Sequence, residues 1–276
     1  MRAKLVSLLA LALVLAIAPE AGAVWGGTVD TAHPQVGAMY FDLNNDGSVT
    51  ADEGACSGSY AGPSKDGTAD VFLTAGHCIP PDFLASMFPP EGFRVSFDGD
   101  ATDGVTGAIQ VTGYEQMPGF GHGSGDPHDL GLVFLPPGSV SGITPVELPP
   151  AHLLDDLKAA GELKFLHPEI VGYGVTPVWD EPGPTFYVDG AVRHTGTSTV
   201  TGLTKSMLLF SQNLHGIGTG SGLCIGDSGS PQLLPGTLTV VSVTHGGNFQ
   251  CNANDANYRV DTPTARAFLG GFLNLP

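Results

Sequence analysis

After residue 23 the apolar stretches of this chain are brief and β-branched, and turn-forming residues close off each one. Val71–Thr74 and Thr239–Val243 are representative. Such punctuation selects strands, and points to an all-β sandwich or barrel. The 40 Gly and 22 Pro supply turns between them. At 276 residues, 42% hydrophobic and 13% charged, the chain can bury one large core or two small ones, so it is not disordered.

Residues 1–23 follow a different logic. Arg2 and Lys4 precede an apolar run from Leu5 to Ala18, then come Pro19 and the small-residue site Ala21-Gly22-Ala23. This is the pattern of a secretory signal peptide. The run is shorter than the roughly 20 residues needed to span a bilayer, and no later run approaches that length. The expectation is therefore a signal peptide at 1–23 and a single exported domain at 24–276, extracellular or periplasmic, with no membrane attachment after cleavage.

The whole chain has 10 basic and 27 acidic residues. Without Arg2, Lys4 and Glu20 the counts become 8 and 26, a net charge of −18. Nucleic acid would be repelled. The acidic residues are spread through the loops and make a solvated surface. Four cysteines in an exported chain suggest two disulfides, for which sequence alone permits three pairings. Cys56 with Cys78 and Cys224 with Cys251 are the local choices. No CxxC spacing occurs, so zinc is disfavoured.

Three segments carry chemistry. Thr74-Ala75-Gly76-His77-Cys78 follows the apolar Val71-Phe72-Leu73 and carries a histidine to a strand end. His128-Asp129-Leu130-Gly131-Leu132-Val133-Phe134-Leu135 sets an acid at the mouth of an apolar strand, where a carboxylate can be held against an imidazole. In Cys224-Ile225-Gly226-Asp227-Ser228-Gly229-Ser230-Pro231, glycines flank an Asp-Ser pair, so the backbone can turn sharply and leave amide hydrogens aimed at one spot. The GxSxG pattern of α/β-hydrolases does not fit, because Ser230 stands where its second glycine belongs.

Together these segments resemble the chymotrypsin family of serine peptidases, with its TAAHC-type, DIAL-type and GDSGGP motifs. Val24-Trp25-Gly26-Gly27, Gly172-Tyr173-Gly174 and Thr244-His245-Gly246 add further matches over the mature chain. The resemblance implies a serine endopeptidase acting on protein or peptide substrates through a His77, Asp129 and Ser228 triad, with no cofactor for catalysis. It also implies an oxyanion hole from the amides of Gly226 and Ser228, and an activating ion pair between the α-ammonium of Val24 and Asp227. Signal cleavage after Ala23 would itself create that terminus.

By the same resemblance, Gly222 lies at the base of the primary specificity pocket, where a charge would select Lys or Arg. Gly246 and Ala256 form its walls, which favours a small or apolar residue before the scissile bond. His245 stands where the family often has an aromatic, Asp255 adjoins a wall, and Thr244 replaces a serine whose hydroxyl it is expected to reproduce. The implied fold is two packed antiparallel six-stranded β-barrels with a short helix near Pro263 to Leu269, and a monomer is expected. The rival from another class is a non-catalytic homologue serving as a binding module through the 110–128 or 176–200 loops.

Residues 42–53 match a twelve-residue EF-hand loop. Side chains of Asp42, Asn44 and Asp46, the Ser48 carbonyl, Thr50 directly or through water, and a bidentate Glu53 are the candidate calcium ligands, with Gly47 at the sharp turn. The flanks, Val36 to Phe41 and Cys56 to Tyr60, read as strands, so the expectation is the loop without EF-hand helices. The competing reading is an Asx-rich hairpin turn that binds nothing. His122, Asp126 and His128, close together in a Gly-rich loop, read as loop polar groups.

Overall fold

The computed structural model describes residues 24–44, 46–80, 87–121, 125–179, 185–188, 191–212 and 220–276. The leader expected at 1–23 lies outside them, as does His122. Two curled antiparallel sheets make up most of the chain, the architecture of the chymotrypsin-like fold. In one, seven strands run in the order Ile109–Gln110, Phe93–Ser96, Val36–Phe41, Gly54–Pro63, Asp70–Thr74, Gly131–Leu135 and Gly113–Gln116. The other has eight, ordered Thr28–Val29, His194–Thr197, Glu169–Gly172, Pro231–Leu233, Val240–Gly247, Asn254–Arg259, Met207–Ser211 and Thr199–Leu203. Thr176–Trp179 and Thr185–Val188 form a separate hairpin.

These counts depart from six strands in each half. Two-residue edge pairings such as Thr28–Val29 and Ile109–Gln110 add strands that are too short to leave a pattern in the sequence. Among the described residues two α-helices accompany the sheets, Leu153–Ala159 and Pro263–Phe272. The second begins at Thr262, whose side chain accepts from the Ala265 amide, with Pro263 at its first position.

All five residues of Asp70–Thr74 are buried, as befits an inner strand covered on both faces. Phe72, Val95, Val133 and Leu135 fill the first sheet, and Ile170, Leu208, Phe210 and Val241 fill the second. A third cluster joins Leu73, Leu130 and Leu132 of the first half to Val171, Val243, Tyr258 and Leu269 of the second. Burial of each such side chain is worth about 1.5–3 kcal/mol, so the seam between the sheets is itself a core.

Candidate active site

Antiparallel register brings the first two residues together. Thr74 pairs with Gly131 at the end where one strand leaves and the other enters the sheet. Three residues past Thr74, His77 lies in the 3-10 turn Gly76–Cys78, and two residues before Gly131 lies Asp129. His77 Nδ1 is 2.8 Å from Asp129 Oδ2, and the His77 amide donates to Asp129 Oδ1 at 2.7 Å. Asp129 is wholly buried, whereas the His77 side chain remains 32% exposed. Burial alone would raise the Asp129 carboxyl, but hydrogen bonds from His245 and His77 outweigh it and hold the group at about 2.

Ser228 arrives from the other sheet on the segment between Cys224 and Pro231. Ser57 clamps that segment to the first sheet: its amide donates to the Ser228 carbonyl at 2.8 Å, and its hydroxyl donates to the Gly226 carbonyl at 2.9 Å. The same hydroxyl accepts from the Tyr173 amide. Disulfides join Cys56 to Cys78 and Cys224 to Cys251, which selects the local pairing. One of them flanks His77 and the other opens the serine segment. Ser228 Oγ makes no hydrogen bond to His77 among the described residues. The Gly226 and Ser228 amides likewise donate to nothing there, and Gly226 at φ +94° adopts a conformation that favours glycine.

Asp227 lies between them, fully buried. It accepts from the Gly174 amide at 2.8 Å and the Cys224 amide at 2.9 Å, and no cation pairs with it among the described residues. Burial pushes its carboxyl up to about 7 against those two bonds. Gly174 must be glycine, because a Cβ there would run into the Asp227 carboxylate. Val24 is also buried, at φ +53°, and belongs to a cluster with Ile170 and Leu223.

Gly222 forms a bridge with Trp25, whose indole stands where a side chain on Gly222 would project. A cavity of about 560 Å³ is lined in part by His245, Gly246, Asp255 and Ala256. Asp255 is 2% exposed, and burial drives its carboxyl well above the ordinary carboxylate range. Thr244 does not meet Asp129. Its hydroxyl is engaged by Ser230 Oγ at 2.7 Å and Gln232 Nε2 at 2.7 Å. The pairing of Val240–Gly247 with Asn254–Arg259 slips between Thr244 and Gly246, and from this bulge His245 sets Nδ1 2.5 Å from Asp129 Oδ2. That contact was invisible to sequence reasoning, because no local signal marks the bulge.

In the 42–53 loop, backbone amides already organise the oxygens. Asp42 accepts from Asp46 and Gly47, Asn44 from Asp46, and Asp46 from Ser48. Glu53 accepts from Leu43 on one oxygen and from the Thr50 amide and hydroxyl on the other. The donor set is all oxygen, as calcium requires. Its carboxylates do not form a grouping of three within 4.8 Å; among the described residues those groupings are Cys56–His77–Cys78 and His77–Asp129–His245. Asp126 accepts from the Tyr258 hydroxyl and stands 3.7 Å from His128.

No family model matches the chain, and no curated protein does so by sequence. Solved structures do. A collagenase, HL collagenase, superposes with a TM-score of 0.59 at 14% identity, covering 90% of this chain and 97% of its own. A double mutant of human heparin-binding protein gives 0.58 at 17%, covering 90% and 95%. At such identities the likeness defines the fold: the chain is built as two half-barrels of the chymotrypsin type.

Proposed function

We propose that this protein is a secreted serine endopeptidase. One observation carries the reading: a wholly buried Asp129 holds His77 by two hydrogen bonds, at the seam where the Ser228 segment is clamped. In the proposed reaction Ser228 Oγ attacks the scissile carbonyl and His77 takes its proton, returning it to the leaving amine. Asp129 fixes the imidazole tautomer and stabilises the imidazolium. The oxyanion is received by the Gly226 and Ser228 amides, each worth roughly 3 kcal/mol of transition-state stabilisation. Water then hydrolyses the acyl-enzyme.

A small or apolar residue precedes the scissile bond in this reading, supported by Gly222, which brings no charge, and by the burial of Asp255. Activation follows removal of residues 1–23. Two features support this: among the described residues Asp227 has no counter-charge, and Val24 holds a left-handed conformation that costs a β-branched residue energy. An amino-terminal residue has no preceding carbonyl and escapes that cost, while its ammonium would satisfy Asp227. Asp42, Asn44, Asp46, Ser48, Thr50 and Glu53 bind a structural calcium ion in this proposal, supported by the oxygen donor set. Export is supported by two disulfides, and among the described residues no helix is long and apolar enough to cross a membrane. The working form is a monomer.

The second reading, a non-catalytic binding module, is favoured by the missing hydrogen bond from Ser228 to His77. Heparin, an anion, is a poor candidate for its partner given the net acidity of the chain. Labelling with a fluorophosphonate decides between the two readings. Mature protein from Val24 should label and Ser228→Ala should not. An unlabelled wild type would leave the binding module standing.

A further inference from the structure

Resting on the triad reading above, we propose that His245 is a positioning residue for His77, acting through the Asp129 oxygen that both imidazoles share. Both imidazoles address a single atom: Asp129 Oδ2 lies 2.5 Å from His245 Nδ1 and 2.8 Å from His77 Nδ1. The two rings meet edge to face, with centroids 6.1 Å apart. A buried carboxylate needs donors on each oxygen, and the Thr244 hydroxyl is committed to Ser230 and Gln232. With a proton on Nδ1, neutral His245 is the donor that completes Oδ2.

The geometry has a consequence for orientation. Asp129 is wholly buried, its Oδ1 is held by the His77 amide, and its Oδ2 faces both rings. The closer His245 contact fixes Oδ2 at the point that His77 Nδ1 must reach, which holds the His77 ring for its role as base.

His245→Gln keeps an N–H donor, and His245→Phe removes it. Steady-state kinetics of the mature protein on a fluorogenic peptide should show kcat lower by roughly tenfold in His245→Phe, with KM little changed, and largely restored in His245→Gln. An unchanged kcat in His245→Phe, or an equal loss in both variants, would overturn the proposal. Proton NMR of Ser228→Ala gives an activity-independent readout: two downfield imidazole N–H signals are expected and one after His245→Gln. A single signal before that change would equally overturn it. A wild type that fails to label with fluorophosphonate while showing both signals would instead overturn the peptidase reading.

Discussion

Ser57 and Gly226 are joined across the two sheets by a 2.9 Å hydrogen bond from a fully buried hydroxyl to the carbonyl of the proposed oxyanion loop. Because Ser57 Oγ also receives the Tyr173 amide, the loop, the first sheet and the Gly172–Gly174 segment share one atom. Ser57→Ala should leave the buried Tyr173 amide and the half-buried Gly226 carbonyl unpaired, costing about 2 kcal/mol. We expect kcat to fall roughly tenfold with KM little changed, checked by steady-state kinetics beside urea unfolding. Lost stability with unchanged kcat would reduce Ser57 to a packing role.

Asp129→Asn should lower kcat about 10⁴-fold while the fold persists, since an amide cannot hold His77 in the tautomer that a carboxylate does. Linkage adds a second signature. The folded Asp129 is depressed to about 2, so its stabilisation is present above the unfolded value near 4 and is lost as pH falls from there through 2. Urea unfolding across that window should be steeper in the wild type than in Asp129→Asn. Parallel curves would mean that the His77 and His245 contacts do not hold the charge.

Asp227 titrates in the opposite sense. With residues preceding Val24 it is raised to about 7, so the folded state binds a proton that the unfolded chain releases near pH 4. Stability should then decline as pH rises from about 4 to 7. A protein beginning at Val24 should lack that decline if its ammonium pairs with Asp227, and Asp227→Asn should flatten the curve of the longer form. Identical profiles for the two amino termini would refute the ion pair.

Calcium should raise the melting temperature of the wild type and leave Glu53→Gln almost unmoved, because ligand binding adds free energy to the folded state only. Titration calorimetry with calcium chloride supplies the affinity. No heat and no thermal shift would return the 42–53 segment to an Asx-rich turn.

The parts of this molecule that were legible in the sequence are those fixed by local chemistry. The apolar strand Val71–Thr74 was one of them, and its end brings His77 to Asp129; the helix Pro263–Phe272 lies where the family resemblance placed one. Helix Leu153–Ala159 gave no such notice: it is seven residues long, and His152 at its start has φ +64° and no capping hydrogen bond. Long-range placement was equally hidden. By the resemblance His245 was expected beside the substrate pocket, which it does line, but its contact with Asp129 depends on the slip beside Thr244, which no local residue marks. The Trp25 indole against Gly222 depends on a pairing across some 200 residues of chain, which no pattern near either residue encodes.

The seam between the sheets also sets an order of synthesis. The strands that carry His77 and Asp129 end at Leu135, but the serine segment can meet Ser57 only when Gly226 has been made, and its sheet is closed by residues up to Arg259. A chain still emerging from the ribosome therefore lacks the nucleophile and the seam that holds it. Under the proposed chemistry such a chain could not cut its neighbours or itself, and the ability to hydrolyse a peptide bond would report that both halves had met.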